Sequence, residues 1–370
     1  MEKDLLIGQV SRRRFLGTAA TAAAFSALPL APSGLSNLAL GAVARAKPNS
    51  KFNGVQIGTI TYSFRNLDPG IEGVLKACVE ANCSSIELMS NGIEDWCGAP
   101  KAPARGRGPG PGGAPPDARG AVPPQGAGTP PQAARGETPP RGGRQPLTPE
   151  QQAAQDKYNA EIKAWRLAAP MEKFIQLRKM FNDAGVNIHI VKWSPARWSD
   201  EEIDYAFKAA KALGAKGVCD EIGDEACKRL GPFAEKHGMY AIFHQHGQPA
   251  DPNFSFDKFL TYSPAIMLNF DAGHYFGCTG LHPNGIIERL HSRIISVHLK
   301  DKTGPKSTPP DTNQVWGKGE MPIADVLKLI QKNRWPIYCD IELEYNVPAD
   351  SDAAREVAKC VQFAKAILTK

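Results

Sequence analysis

Hydrophobic and polar positions follow two alternating periods along the chain from Val55 onward. Short runs rich in β-branched and aromatic residues, such as Ile188-His-Ile-Val, have the length of buried strands, and the stretches between them have the apolar spacing of amphipathic helices. The pattern predicts eight strands, at about 55–60, 84–89, 187–193, 216–222, 240–245, 266–271, 294–299 and 337–343. It also predicts eight helices, at about 70–82, 152–184, 200–214, 225–237, 256–263, 284–292, 323–334 and 351–368.

Helix-end signals support this division. Ser199-Asp-Glu-Glu202 has the sequence of a capping box, and Gly185, Gly214 and Gly238 stand where helix C-caps belong. A strand–helix repeat of this count predicts an α/β fold, a single (β/α)8 TIM barrel over residues 52–370. An open doubly wound sheet is the alternative, but no Gly-x-Gly-x-x-Gly follows the first strand.

Residues 98–148 interrupt the repeat with a segment rich in Gly, Pro, Ala and Arg, such as Gly106-Arg-Gly-Pro-Gly-Pro111. Because the segment has few apolar side chains, their burial cannot offset the entropy lost on ordering its backbone, and we expect a disordered insertion. Because it follows the second strand, it leaves from the end of the barrel where functional loops are built.

Residues 1–46 resemble a twin-arginine signal peptide. Ser11-Arg-Arg-Arg-Phe-Leu16 precedes a mildly apolar stretch, and Ala42-Val-Ala44 or Ala44-Arg-Ala46 offers a cleavage site. The sequence therefore predicts an exported, periplasmic protein that engages the twin-arginine translocase. A membrane anchor is the alternative, but the apolar stretch is short and contains Pro29, so no stable membrane span is expected.

Basic residues are concentrated outside the predicted barrel. Of the net charge of +6, the first 50 residues carry six basic and two acidic side chains and residues 98–148 carry seven and two, which leaves −3 for the remainder. This balance argues against nucleic-acid binding by a broadly basic domain. The eight cysteines include no C-x-x-C pair, so a structural zinc knot is not expected, although Cys78 and Cys83 could pair in an oxidising compartment.

Polar clusters follow four of the predicted strands in the second half of the chain. Parallel barrel strands deliver their last residues to one rim, so these clusters can converge, and imidazoles mixed with carboxylates suit a divalent ion. Residues two apart in a strand share a face, which favours paired roles. At each cluster taken alone, a hydrogen-bonding loop residue is the simpler interpretation. The clusters are His244-Gln-His246, Asp271-Ala-Gly-His274, His298-Leu-Lys300-Asp301 and Glu342-Leu-Glu344.

The order of these clusters resembles the xylose isomerase-like TIM barrels, a group often labelled sugar phosphate isomerases/epimerases. Ser85-Ile-Glu87-Leu at the second strand and Trp316-Gly-Lys318-Gly-Glu-Met-Pro before the seventh helix extend the resemblance, which covers about residues 55–368 apart from the insertion.

The resemblance implies one divalent ion, Mn, Co, Mg or Zn, held by a Glu, an Asp, a His and a Glu from strands five to eight. Asp271, His298 and Glu342 match the last three positions. Strand five departs from the pattern because it offers His244 instead of Glu. Either His244 is the fourth ligand or Glu221, at the end of strand four, supplies the carboxylate.

The resemblance also implies catalytic and substrate-binding groups. We expect Glu342, Glu344, His246 and Lys300 in catalysis, with Lys300–Asp301 as a rim ion pair the alternative for Lys300. The residues expected to bind substrate are His274, Glu87, Trp316 and Lys318.

These groups suit proton removal next to a carbonyl, with an enediolate intermediate stabilised by the ion. Because phosphorylated sugars are scarce outside the cytoplasm, we expect a metal-dependent isomerase or epimerase of a non-phosphorylated sugar or keto-sugar. A lyase or dehydratase acting on a keto-sugar, inosose or 3-keto-glycoside is the first alternative, and a non-catalytic exported sugar-binding protein is the second. A metal-dependent endonuclease on this barrel is disfavoured by the charge of the body, and self-association as a homo-oligomer stays open.

Overall fold

The computed structural model describes residues 47–67, 70–103 and 147–370. The predicted signal at 1–46 and most of the predicted insertion, 104–146, lie outside these residues.

The parallel strands of the described chain close into an eight-stranded barrel. Each strand pairs with the next in sequence, and β8 pairs with β1, for example through Cys339 and Ile57. An open doubly wound sheet would leave these two strands apart, so the (β/α)8 prediction is confirmed. The strands are β1 Val55–Ile60, β2 Ser85–Met89, β3 Asn187–Lys192, β4 Gly217–Glu221, β5 Tyr240–His244, β6 Ile266–Asp271, β7 Ile294–Leu299 and β8 Tyr338–Ile341.

Helices pack around the barrel and fill most of the predicted positions. They are α1 Ile71–Glu80, α2 Ser90–Cys97, α3 Pro149–Ala168, α4 Met171–Asp183, α5 Asp200–Ala212, α6 Asp224–His237, α7 Phe256–Leu260, α8 Ala272–Thr279, α9 Asn284–Leu290, α10 Ile323–Asn333 and α11 Ala353–Leu368.

The single helix predicted over 152–184 is wrong, because α3 and α4 are separate. Proline disfavours helical torsion angles in the residue before it, and Ala169, which precedes Pro170, has φ −59° and ψ 125°. Helices α2 and α8 were not predicted. They begin directly after β2 and β6, so no loop residues mark their start in the sequence.

The main apolar core lies between the sheet and the helices and includes Phe174, Phe207 and Phe270. Inside the barrel, a small apolar group from β3 to β6 is joined by polar side chains that meet across the axis. His189 Nε2 of β3 lies 2.8 Å from Asp340 Oδ2 of β8, for example. The barrel interior therefore contains a column of polar side chains, which leads to the rim where β6, β7 and β8 end.

No helix in the described ranges has the length and apolar character needed to cross a bilayer. The cysteines are all free, including Cys78 and Cys83, so the pairing considered for these two is not formed in the structure.

Candidate active site and metal centre

Asp271 is the last residue of β6, and its two carboxylate oxygens have different contacts. Oδ1 accepts a hydrogen bond of 2.7 Å from the backbone N–H of His274 and so caps α8. Oδ2 lies 3.3 Å from His244 Nε2 and 2.9 Å from Lys300 Nζ. The side chain of Gln245 holds the Asp271 backbone, donating to its carbonyl at 2.6 Å and accepting from its N–H at 3.0 Å.

His298 of β7 lies between two carboxylates inside the barrel. Its Nδ1 is 2.9 Å from Glu342 Oε2, and its Nε2 is 2.8 Å from Glu87 Oε2. Burial lowers the pKa of His298, but the charges of Glu342 and Glu87 outweigh it and raise that pKa well above its ordinary value.

Four side chains from consecutive strands have the chemistry and spacing of a metal site. One ligand atom from each lies within 4.8 Å of every other, and all four residues are buried. Two imidazoles and two carboxylates suit a divalent ion such as Zn, Co or Mn. They are His244, Asp271, His298 and Glu342.

Glu221 stands on the far side of His244 from this group. It forms a second candidate group with His244 and His246, and its Oε2 lies 3.1 Å from His246 Nδ1. Of the two residues considered for the fourth metal position, the arrangement therefore brings His244, and not Glu221, together with Asp271.

Lys300 is completely buried among three carboxylates. Its Nζ lies 2.9 Å from Asp271, 2.7 Å from Glu342 and 3.0 Å from Glu344. Burial lowers the pKa of Lys300, but the three carboxylates raise it above its ordinary value, so the side chain is an ammonium ion. Gly273 of α8 makes room for this side chain, because a Cβ there would lie 2.2 Å from Lys300 Cγ.

Asp301 does not pair with Lys300, contrary to the rim ion pair considered as an alternative. Its carboxylate accepts backbone hydrogen bonds from Gly317, Gly319 and Met321 at 2.7, 3.0 and 3.3 Å. A Cβ at Gly319 would lie 2.3 Å from Asp301 Oδ1, which explains the glycine. Asp301 therefore shapes the loop that carries Trp316 and Lys318, two of the residues expected to bind substrate.

His246 and His274 lie at the mouth of the barrel. Their ring centroids are 4.9 Å apart, and His274 Nε2 lies 3.8 Å from Glu344 Oε2. Burial lowers the pKa of His274 to about 4, so this ring is neutral at pH 7 and can donate or accept hydrogen bonds. The members of each strand-end pair share a partner, as expected from their common face. Glu342 and Glu344 both contact Lys300, and His244 and His246 both contact Glu221.

The remaining predicted substrate-binding residues lie in three different settings. Glu87 is fully buried beneath His298, and Trp316 is 7% exposed with its ring edge against Phe363 of α11. Lys318 is exposed on the loop. Within the described residues, neither Trp316 nor Lys318 makes a hydrogen bond or ion pair with the cluster.

Three residues that contact the cluster were missed by the sequence analysis: Lys192, Gln245 and Asn269. Lys192 Nζ lies 2.7 Å from Glu221 Oε1, and Asn269 Nδ2 donates to Glu87 Oε2 at 2.7 Å. Two signals were present in the sequence. Lys192 is the last residue of β3, and Asn269 stands two positions before Asp271, on the same face of β6.

The chain matches the family described as the xylose isomerase-like TIM barrel over residues 171–364, and it belongs to that family. No curated protein matches it in sequence.

Solved structures share the fold at low sequence identity. A xylose isomerase domain protein from Alicyclobacillus acidocaldarius has a TM-score of 0.52 and 11% identity, over 85% of this chain and 100% of its own. Another, from Planctomyces limnophilus, has a TM-score of 0.51 and 12% identity, over 85% and 97%. The probable 3-DHS dehydratase AsbF of Bacillus anthracis has a TM-score of 0.50 and 11% identity, over 83% and 98%. At 11–12% identity, these likenesses show a shared fold and do not assign a reaction.

Proposed function

We propose that this protein is a metal-dependent isomerase or epimerase that removes a proton next to the carbonyl of a non-phosphorylated sugar or keto-sugar. The observation that supports this most is that Lys300 joins Glu344 to Glu342, a member of the four-residue group that could hold a divalent ion. A bound ion would polarise the substrate carbonyl and stabilise the enediolate.

Glu344 is the carboxylate best placed to act as the base. Its side chain is 18% exposed, against 8% for Glu342, and it lies at the mouth beside His274. Lys300 binds both carboxylates, which keeps Glu342 ionised for its role in the metal group. Burial raises the pKa of Glu342, but Lys300 and His298 hold it well below its ordinary value.

An epimerase needs a second group on the opposite face of the substrate. Glu221 ends β4, and Glu344 follows β8, so the two carboxylates stand on strands that lie four places apart in an eight-stranded barrel. We assign His246, whose Nδ1 lies 3.1 Å from Glu221 Oε2, to this second face. His274, neutral at pH 7, would hold a substrate hydroxyl between the two faces.

The preference for a non-phosphorylated substrate rests on the twin-arginine signal proposed for residues 1–46. We therefore propose export to the periplasm. Recovery of the mature protein in the cytoplasmic fraction would contradict this part of the proposal.

Hydrogen exchange in D₂O tests the reaction. We expect the metal-loaded protein to place deuterium next to the carbonyl of one member of a panel of ketoses, inososes and 3-keto-glycosides. Glu344→Gln should lose this exchange by about 10²-fold or more, the usual scale for a positioned base. Glu342→Gln should also lose it, because the metal group loses a ligand. The exposed carboxylate of Glu288 provides the control, because Glu288→Gln should exchange at the normal rate.

The outcomes separate the alternatives. Deuterium in an intact carbon skeleton supports isomerase or epimerase activity, whereas release of water or an aglycone would show a lyase. Metal-loaded protein that binds sugars without exchange, isomerisation or elimination across the panel would refute the enzyme and favour a sugar-binding protein.

A further inference from the structure

The two histidines of the four-residue metal group each have one ring nitrogen inside the group and one outside. His298 directs Nδ1 toward Glu342, and His244 directs Nε2 toward Asp271. The outer nitrogens face carboxylates on other strands. His298 Nε2 lies 2.8 Å from Glu87 Oε2, and His244 Nδ1 lies 3.4 Å from Glu221 Oε2.

Each outer carboxylate is itself held by a neighbouring side chain. Asn269 Nδ2 donates to the Glu87 oxygen that contacts His298, at 2.7 Å, and lies 3.1 Å from His298 Nε2 itself. Lys192 Nζ binds the other oxygen of Glu221 at 2.7 Å, which leaves Oε2 for His244 and His246. Lys192 ends β3, between the strands that carry Glu87 and Glu221, and its side chain is only 12% exposed.

We propose that Glu87 and the Lys192–Glu221 pair are positioning residues that fix opposite tautomers of the two metal-binding histidines. Glu87 accepts the Nε2–H of His298 and leaves Nδ1 for the ion. Glu221, held by Lys192, accepts the Nδ1–H of His244 and leaves Nε2 for the ion. This inference rests on the metal site of the proposed function and assigns Glu87 a place behind the metal group instead of a contact with substrate.

The physical reason is that a neutral imidazole has one donor and one acceptor nitrogen, and the carboxylate decides which is which. A carboxylate behind the ring also fixes its orientation and makes the inner nitrogen a better ligand. Loss of such a partner typically costs about 10–100-fold in metal affinity.

Cobalt binding to the metal-free protein tests the positioning role without any substrate. We expect Glu87→Gln and Lys192→Met each to weaken Co²⁺ binding by about 10–100-fold and to change the visible absorption bands that report Co²⁺ geometry. Lys192→Arg should restore most of the affinity, because it keeps a cation beside Glu221. The control is Glu94→Gln, since Glu94 is a similarly buried carboxylate that pairs with Arg166 and contacts none of the proposed ligands.

Histidine NMR tests the tautomers directly in the wild-type protein, so the test survives if a variant does not fold. In Zn²⁺-loaded protein labelled with ¹⁵N-histidine, we expect protons on His298 Nε2 and His244 Nδ1 and coordination through the other nitrogen of each ring. His244→Asn and His298→Asn would assign the signals. Coordination through His244 Nδ1, as in a second ion bound by Glu221 and His246, would overturn the proposal.

Unchanged Co²⁺ affinity and unchanged spectra in both Glu87→Gln and Lys192→Met would also overturn it. The result is separable from the proposed reaction. Wild-type protein that binds Co²⁺ through the expected nitrogens but catalyses nothing would refute the enzyme and leave the positioning roles in place.

Discussion

Lys300 carries a positive charge into a place where water cannot reach it. A buried ammonium is stable only when it is paired and hydrogen-bonded, and Asp271, Glu342 and Glu344 supply three partners within 3.0 Å. In return, Lys300 holds two of these carboxyls ionised. Burial raises the pKa of Asp271, but Lys300, His274 and His244 outweigh it and hold that pKa well below its ordinary value.

We predict that Lys300→Met destabilises the metal-free protein by about 3–5 kcal/mol at pH 7, because removing one partner of a buried ion pair leaves uncompensated charge. Thermal and denaturant unfolding measure the loss. Added Co²⁺ should restore part of the stability, since an ion held by Asp271 and Glu342 supplies the missing positive charge. The control Lys258→Met removes an exposed lysine bound to Asp224 and should change little.

The pH dependence follows from the lowered pKa of Asp271 and Glu342. Groups with a folded pKa below the unfolded value of about 4 stabilise the protein above that pH, and their contribution is lost as the pH falls below it. Lys300→Met removes the main cause of the lowering. The variant should therefore show a flatter fall in unfolding free energy below about pH 4 than the wild type. An unchanged slope would contradict this account.

At this scale, the sequence predicts which residue types stand at the strand ends but not how they contact one another. Asp271, His298 and Glu342 each follow or end an apolar run, and that position was enough to predict that their side chains meet at one rim of the barrel. The contact of Glu87 with His298 joins β2 and β7, which are three places apart around the barrel and far apart in sequence, so no local sequence pattern predicts it. The setting of Trp316 could not be predicted either, because its contact with Phe363 depends on where α11 packs.

The loop after β7 shows how one side chain can organise a functional element. Residues Asp301–Lys302 pair with Asn313–Gln314 as a short antiparallel ribbon. The Asp301 carboxylate accepts hydrogen bonds from three backbone N–H groups of the loop that follows this ribbon. The Trp316–Met321 segment is thereby held against Asp301, the residue that follows Lys300.

We predict that Asp301→Ala loosens this loop while the barrel stays folded. Three N–H groups lose their acceptor, which should cost about 1–3 kcal/mol and speed the hydrogen–deuterium exchange of Gly317, Gly319 and Met321. Glu320→Ala is the matched control in the same loop, because its carboxylate serves Gly304 and Ser307 instead. Equal protection of the three amides in Asp301→Ala and wild type would show that the loop is held by other contacts.

Helices and strands were predictable from the sequence wherever the apolar pattern extended over many residues. The prediction failed where a strand and a helix join without a loop, as at α2 and α8. Helix α8 begins at Ala272, immediately after Asp271, so the last residue of the strand is also the N-cap of the helix and no loop separates the two elements. The bulge where β2 pairs with β3 is a similar case. It places His189 and Ile190 side by side within the barrel, which a strict alternation of faces does not predict.

At the scale of the whole molecule, barrel closure is what turns scattered residues into one site. Glu87 of β2 and Glu342, which directly follows β8, are far apart in sequence, yet both contact the His298 ring. The interval between β2 and α3 holds the insertion, and the described chain continues on each side of it. Its first residue, Gly98, ends α2, and its last residue, Thr148, caps α3 in a capping box with Gln151.

We predict that replacing residues 104–146 with a short Gly/Ser linker leaves the melting temperature nearly unchanged. The segment is rich in Gly, Pro and Arg, so it offers little apolar surface to bury, and each doubling of loop length costs only about 0.6 kcal/mol of closure entropy. The deletion keeps Thr148 and Gln151, so the N-terminal cap of α3 should survive. Calorimetry and Co²⁺ titration measure stability and the metal site separately. A large fall in melting temperature would show that the insertion packs against the barrel, whereas normal stability with altered exchange in D₂O would assign it a role over the mouth of the site.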